Sequence, residues 1–268
     1  MSSTNFVLAI DQGTTNTKAL LVTADGRILH QASVPNTVTY PQPGWAEQSA
    51  TALADGVRQV IAQLVAKTGA SAIVAVAISN QRESIVVWDA ATGEPIGPCI
   101  IWQCRRSAPK CEILRAAGHA DAIERKTGLA LDPLFPAAKI AWLLDNVSGA
   151  RARAERGELR VGTVDSWLLW SLTNGAVHAT DHSNASRTQL FDTAALQWDA
   201  DLANLFDVPL SMLPEVRSSD SDFGHLAEDA TALPAGIPIH AMIGDSHAAL
   251  FGHGVRTPGA VKATYGTG

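Results

Sequence analysis

The sequence predicts an α/β protein, with a mixed β-sheet flanked by helices. The first indication is the segment from Ala72 to Ile78, which is apolar throughout, as in strands buried on both faces. The second is the segment from Leu53 to Val65, where apolar residues recur at spacings of three and four and so form one stripe of a helix ending near Gly69. With 268 residues, 46% of them hydrophobic and 17% charged, the chain is long and apolar enough to bury a sizeable core.

The chain opens with a predicted hairpin, in which the apolar runs Phe6 to Ile10 and Ala19 to Val22 flank a polar turn. Gly13 lets the backbone pass close to a bulky partner, and Asp11 stands at a strand end, where a carboxylate is able to hold a divalent cation through water. The turn also carries three threonines whose amides and hydroxyls suit phosphate oxygens, namely Thr14, Thr15 and Thr17. An ordinary solvated turn explains the same residues.

Polar residues also follow the apolar run that ends at Ile78. Arg82 and Glu83 lie between this run and a further predicted strand, Ser84 to Trp88, at a position where α/β proteins usually bind ligands. A guanidinium beside a carboxylate suits vicinal hydroxyls, and an exposed ion pair of little energetic value is the alternative. Trp102, after Ile100-Ile101, offers an apolar wall for the carbon face of a polyol or is simply a core residue.

The middle of the chain predicts mainly helices. Residues 108–156 have the pattern of several short helices interrupted by glycine and proline. A further helix is predicted to start within Gly162–Ser166, with Asp165 or Ser166 as its cap. Asn174-Gly175 is a hairpin signal.

Asp245 stands where one more strand gives way to a helix. The apolar strand that begins at Ile237 ends at Gly244, and the helix starts at Asp245-Ser246. Such a carboxylate is either a general base or only the helix cap. A last strand is predicted from Ala260 to Thr264, opening onto a small-residue turn that partly repeats the first hairpin. We therefore expect residues 1–255 to form one lobe of a duplicated fold and residues 256–268 to begin a truncated second lobe.

Charge and composition exclude several classes of function. A formal net charge of −6 without a long Lys/Arg run argues against nucleic acid or an anionic membrane as the main partner. The N-terminus lacks a basic signal region, and the longest apolar run is far shorter than the roughly 20 residues of a membrane helix. We therefore expect no membrane association and a cytoplasmic protein. The three cysteines lack C-x-x-C spacing, so neither a disulfide framework nor a zinc site is expected.

Together these motifs resemble the FGGY carbohydrate kinases, and among them the glycerol kinases. The resemblance runs in order from Phe6 to the last residue. Its motifs are Asp11-Gln12-Gly13-Thr14-Thr15, Pro43-Gly44-Trp45-Ala46-Glu47-Gln48, Asn80-Gln81-Arg82-Glu83, Trp102-Gln103-Cys104-Arg105-Arg106, Gly162 to Trp167, Thr180-Asp181 with Asn184 to Thr188, Gly244-Asp245 with Ala248 to Gly252, and Thr264-Tyr265-Gly266-Thr267-Gly268.

The resemblance implies two actin-like (ribonuclease H-like) lobes around a cleft, with ATP and Mg²⁺ as cofactors and a small polyol or sugar as the phosphoryl acceptor. By position it implies that Asp11 lies by the metal and that Asp245 is the base. The implied nucleotide-binding residues are Asp11, Gly13, Thr14, Thr15, Asn16 and Lys18, with Gly266 and Thr267 on the opposite side. The implied polyol-binding residues are Arg82, Glu83, Trp102, Leu134, Asp245 and Ser246. Members of the family are often homo-oligomers.

Three positions depart from the glycerol kinase pattern. Those enzymes usually carry Tyr at the position of Leu134 and Gln at that of Ser246, and a site that loses a donor binds the corresponding hydroxyl less well. The acceptor is therefore glycerol, a slightly larger polyol such as a tetritol, or a ketopentose, and a non-catalytic module that binds sugar or nucleotide is the alternative. The third departure is Glu228–Gly236, which lacks the Gly-Gly-Thr-Arg loop that binds fructose bisphosphate in some bacterial members, so no such regulation is expected.

Overall fold

The computed structural model describes residues 5–263. The strands in this range are β1 (Phe6–Gln12), β2 (Asn16–Thr23), β3 (Ile28–Pro35), β4 (Glu47–Gln48), β5 (Ile73–Asn80), β6 (Ile85–Asp89), β7 (Cys99–Ile100), β8 (Leu159–Thr163), β9 (Ala179–Asp181), β10 (Phe191–Asp192), β11 (Gln197–Trp198), β12 (Glu215–Arg217) and β13 (Ile239–Gly244). The α-helices are α1 (Ala50–Thr68), α2 (Ala108–Ala116), α3 (Ala120–Thr127), α4 (Pro136–Asn146), α5 (Ala150–Glu155), α6 (Val164–Leu172), α7 (His182–Ala185), α8 (Ala200–Leu205) and α9 (Asp245–Gly252).

The largest sheet has five strands in the order β13-β5-β1-β2-β3. The first three strands of the chain form an antiparallel meander. Strand β5 pairs in parallel with β1, and β13 pairs in parallel with β5. Alternate residues of β1 are buried, so Phe6, Leu8 and Ile10 share one face of the sheet. The predicted α/β class with a mixed sheet is confirmed.

Helix α1 packs on this sheet as its apolar spacing predicts. Its buried residues include Leu53, Val57 and Leu64, and Gly69 ends it with a backbone N–H that donates to Val65. Gly56 permits close packing against β2, because a Cβ there would lie 3.2 Å from the Thr17 hydroxyl. A second, four-stranded sheet runs in the order β4-β7-β6-β8. None of the helices within residues 5–263 has both the length and the apolar character needed to cross a bilayer.

Two local predictions were wrong. Helix α6 begins at Val164 with Thr163 at the N-cap position, so neither Asp165 nor Ser166 is its cap. The carboxylate of Asp165 is fully buried and accepts from the hydroxyls of Thr163 at 2.5 Å and Thr180 at 2.6 Å. Asn174-Gly175 does form a tight turn with positive φ, but this turn follows helix α6 rather than joining two strands.

The predicted strand from Ala260 to Thr264 is not present in its described part. Residues 260–263 have no strand structure and Ala260 and Val261 are exposed, whereas Thr264 lies outside the described residues. A strand requires a neighbour for its backbone hydrogen bonds, and none of the described strands pairs with this segment. The boundary between residues 1–255 and 256–268 remains a prediction.

An aromatic cluster beside the second sheet encloses a histidine. The ring of His178 lies 5.3 Å from that of Trp88 and 6.0 Å from that of Trp170, and its Nε2 is 3.0 Å from the Val161 carbonyl. Burial lowers the pKa of His178 to about 4, since the imidazolium loses its water while only one carbonyl favours it.

This pKa predicts an acid-sensitive contribution to stability. The unfolded chain protonates this imidazole near pH 6.5 and the folded protein only near pH 4, so the free energy of unfolding falls as pH drops through that window. At about pH 5 we expect a loss on the order of 2 kcal/mol from this group. Urea unfolding of wild type and His178→Gln at about pH 7.5 and 5 measures it, because glutamine keeps a donor for Val161 but does not titrate. His30→Gln on β3 is the matched control, and an equal acid loss in wild type and His178→Gln would contradict the prediction.

Candidate active site

Three loops meet at one edge of the five-stranded sheet. Parallel pairing aligns the carboxyl ends of β1, β5 and β13, with Gln12 opposite Asn80 and Asn80 opposite Gly244. The segments that leave these ends are the hairpin tip at residues 13–15, the segment 81–84 and the first turn of α9. This is the edge where open α/β sheets bind their ligands, and half of the site residues expected from the sequence lie on these three segments.

The hairpin tip presents backbone N–H groups outward. The carbonyls of residues 13–15 all accept hydrogen bonds from the protein. The side-chain amide of Asn36 donates to the residue 13 carbonyl at 2.8 Å, and its backbone N–H donates to the residue 15 carbonyl at 2.8 Å. The side-chain amide of Gln48 donates to the residue 14 carbonyl at 2.9 Å. In a trans peptide the N–H of the following residue points opposite to the carbonyl. The N–H groups of residues 14–16 therefore point away from Asn36 and Gln48 and are not used by these contacts, as in backbone sites that bind anions.

The hydroxyl of Thr14 is bound within the protein. It accepts from Trp102 Nε1 at 2.9 Å and donates to the Gln81 side-chain carbonyl at 3.2 Å. The backbone N–H of Trp102 donates in turn to the Ser84 hydroxyl at 3.1 Å. Thr14 is thus arranged to offer a phosphate its backbone rather than its hydroxyl, and Trp102 connects the hairpin to the segment of Arg82 and Glu83.

Asp11 and Lys18 lie opposite each other in the β1–β2 ladder. The pKa of Asp11 is raised, because desolvation outweighs the attraction of Lys18 and the carboxylate of Asp245 adds to the rise. The carboxylates of Asp11 and Asp245 are therefore close enough for their charges to repel each other. In the described part of the chain no three His, Cys, Asp or Glu side chains cluster as a metal site. A divalent cation beside Asp11 would take its other ligands from water and phosphate, as Mg²⁺ usually does.

Arg82 connects the middle segment to α9. Its Nε donates to Asp245 Oδ1 at 2.9 Å and its Nη2 to the Ser246 hydroxyl at 3.0 Å. Its stem crosses directly over Gly244, where a Cβ would lie 2.5 Å from Cδ and 2.7 Å from Cγ of the arginine. Asp245 is the first residue of α9 with Gly244 at the N-cap position, so the alternative in which Asp245 only caps the helix was wrong.

Glu83 is the buried member of the site. Its side chain is 8% exposed and lies 2.7 Å from Arg187 Nε and 3.5 Å from Arg82 Nη1. Its backbone φ is +61°, a left-handed conformation that costs a non-glycine residue about 1 kcal/mol or more. Two guanidinium groups around one carboxylate make this a network rather than the isolated surface pair that the sequence left open.

Of the remaining expected residues, Leu134 is connected to the site and two others lie outside the described part of the chain. The loop of Leu134 is joined to Glu83 through Lys139, whose Nζ donates to both carbonyls. Gly266 and Thr267 lie outside the described residues. Sequence reasoning did not assign Arg187 or Lys139 to the site, although Arg187 belongs to one of the motifs that carried the resemblance.

Residues 6–252 match the family model described as the N-terminal domain of the FGGY family of carbohydrate kinases. The chain belongs to this family. The matched residues include the three loops at the sheet edge described above, and the resemblance drawn from the sequence motifs is confirmed.

Curated relatives of this FGGY chain are glycerol kinases. The protein from Ectopseudomonas mendocina is 49% identical over 265 residues, which cover 98% of this chain and 53% of that protein. Glycerol kinase 1 of Thermotoga maritima is 45% identical over 98% of this chain and 54% of its own length. The chain therefore spans about half the length of the curated relatives it matches.

Solved structures agree with the fold. Plasmodium falciparum glycerol kinase with ADP superposes with a TM-score of 0.89 at 30% identity, over 94% of this chain and 50% of that one. The xylulose kinase of Rhodospirillum rubrum gives 0.86 at 26% identity, over 95% of this chain and 52% of that one. The expected actin-like lobe is confirmed.

The packing of Arg82 on Gly244 predicts a specific effect of Gly244→Ala. The new methyl group displaces the arginine stem and breaks its contact with Asp245, so we expect a loss of about 1–3 kcal/mol in unfolding free energy, measured by urea titration. Gly252→Ala at the end of the same helix meets nothing within 4 Å and is the matched control. In an Arg82→Ala background we expect Gly244→Ala to lower the unfolding free energy by less. An equally large loss in that background would contradict a clash with Arg82 as the cause.

Proposed function

We propose that this chain is the acceptor-binding half of an ATP-dependent kinase that phosphorylates a hydroxyl group of glycerol or a similar small polyol. The observation that carries the proposal is the meeting of an anion-binding hairpin tip, an Arg–Glu pair and the carboxylate of Asp245 at one sheet edge. Phosphoryl transfer depends on positioning and charge neutralisation more than on covalent help, and these groups supply both. The glycerol kinase relatives agree with this assignment.

The hairpin binds the phosphates in this proposal. The outward N–H groups of residues 14–16, with Gly13 allowing close approach, form the anion site, and Lys18 adds a positive charge. Asp11 would hold Mg²⁺, and the cation would offset the phosphate charge of a bound nucleotide. Gly266 and Thr267 are assigned to the opposite side of the nucleotide from the resemblance alone.

The polyol lies beside Asp245 in this proposal. Arg82 and Glu83 bind vicinal hydroxyls, since one offers fixed donors and the other two acceptor oxygens, and Trp102 covers the carbon face. Asp245 accepts the proton of the attacking hydroxyl. Because Arg82 already contacts Asp245 at 2.9 Å, the arginine fixes the direction of the carboxylate before the polyol arrives.

A second candidate acceptor is a larger polyol, such as a tetritol, or a ketopentose. It is favoured by Leu134, which brings no hydroxyl, and by Ser246, whose short side chain is already paired with Arg82. We further propose a cytoplasmic location, where ATP is available, and assembly into homo-oligomers as in many members of the family.

The proposal predicts that turnover requires Asp245. We would fuse this chain to the C-terminal half of the Ectopseudomonas mendocina glycerol kinase and follow ADP release with glycerol, erythritol, xylulose and ribulose. Asp245→Asn should lower kcat by about 10²–10⁴-fold while leaving ATP binding intact, because only the proton acceptor is removed. Asp220→Asn, at an exposed aspartate after β12, is the control. ATP binding without turnover on any acceptor would favour a non-catalytic binding module.

Acceptor choice is tested at Leu134 and Ser246. We expect Leu134→Tyr with Ser246→Gln to raise the ratio of kcat/KM for glycerol over erythritol on the order of tenfold, because each change adds a donor for a short polyol. Leu134→Phe with Ser246→Met matches the added volume without the donors. A similar ratio change in both double variants would mean that volume rather than hydrogen bonding sets the preference.

A further inference from the structure

Lys139 is a fully buried cation beside the candidate polyol site. It lies in the first turn of α4 and has no exposed surface. Its Nζ donates to the Glu83 carbonyl at 2.8 Å and to the Leu134 carbonyl at 2.5 Å. No carboxylate of residues 5–263 forms an ion pair with it within 4.0 Å, so its acceptors are two neutral carbonyls.

A lysine in this position is costly to the fold. Burial lowers the pKa of Lys139 to about 7, although the charge of Glu83 acts in the opposite direction. A methionine of similar length would avoid this desolvation cost. The lysine therefore needs an explanation beyond filling the core.

The two carbonyls belong to two segments that we call the Glu83 wall and the Leu134 wall, because the proposed function assigns both residues to the polyol site. Glu83 has the left-handed backbone, and its carboxylate is set between Arg82 and Arg187. Leu134 belongs to the turn before α4, in which its backbone N–H donates to the Asp132 carboxylate at 2.8 Å. Glu83 and Leu134 are 51 positions apart in the sequence, and one amine bonds to both.

We propose that Lys139 is a positioning residue that fixes the spacing between the Glu83 wall and the Leu134 wall of the polyol site and so limits the length of polyol that fits. It acts only through the two backbone carbonyls and contacts no substrate. The inference rests on the proposed function for the identity of the ligand, but the linkage of the walls is measurable without turnover.

The first test is backbone hydrogen exchange on the chain itself. In Lys139→Met, which preserves apolar volume but has no donor, we expect amide exchange at residues 82–84 and at Leu134 and Phe135 to become about tenfold faster or more, because two carbonyl bonds are lost. Leu64→Ala in α1 is the control for general destabilisation and should leave the ratio of these segments to the rest of the sheet unchanged. Unchanged exchange in Lys139→Met overturns the proposal, whether or not the protein is a kinase.

The second test separates positioning from stability. In the fusion described above, Lys139→Met should raise the KM for the polyol about tenfold and change the glycerol-to-erythritol preference, with the KM for ATP unchanged. Lys139→Arg, which retains donors, should recover part of the polyol KM. Equal changes in both KM values, or a polyol KM equal to that of the wild type, would overturn the positioning role. A wild-type fusion without turnover contradicts the proposed function instead, and the exchange experiment then decides the linkage alone.

Discussion

The parallel pairing of β1, β5 and β13 is the constraint on which the site depends. Side chains alternate along a strand, so a shift of one residue in any of these pairs would exchange buried for exposed positions. The buried residues Leu8, Val76 and Met242 prevent such a shift, because each would be moved out of the core. The same register brings the ends of the three strands to one level. Residues that are about 70 and 230 positions apart in the sequence thus reach one site through the burial of aliphatic side chains elsewhere.

Two backbone features lie where that register ends. Glu83 adopts a left-handed backbone, and Gly244 lacks the Cβ that would exclude the stem of Arg82. Both features allow a charged side chain to turn into the site instead of into solvent. Their cost is offset by hydrogen bonds from Arg187 to the Glu83 carboxylate and from Lys139 to its carbonyl. Several charged groups of the site therefore hold one another in place.

The sequence predicted what local pattern determines and missed what distant contacts determine. Helix α1 was found because its apolar periodicity reflects the face it buries. Strand β5 was found because its residues are apolar throughout, but the expectation that both of its faces are buried was wrong, since Val74 is 42% exposed. Asp165 was mistaken for a cap because one of its hydroxyl partners, Thr180, lies on β9, 15 residues further along the chain. The partner of the Thr14 hydroxyl, Trp102, is 88 residues away, and nothing in the local pattern of the hairpin reveals that contact. The buried contacts of Lys139 were missed for the same reason, since a lysine in a helix is ordinarily exposed to solvent.

Electrostatics at the sheet edge also bear on the proposed use of Mg²⁺. The guanidinium of Arg82 pairs with Asp245, whereas Asp11 lies opposite Lys18, and the raised pKa of Asp11 reflects burial that this lysine does not offset. Phosphates brought to the hairpin tip would add negative charge beside a carboxylate that is already disfavoured as an anion. A divalent cation between them would stabilise both, lowering the pKa of Asp11 and neutralising the phosphates at once. The raised pKa of Asp11 is thus the property expected of a carboxylate whose stable partner arrives with the nucleotide.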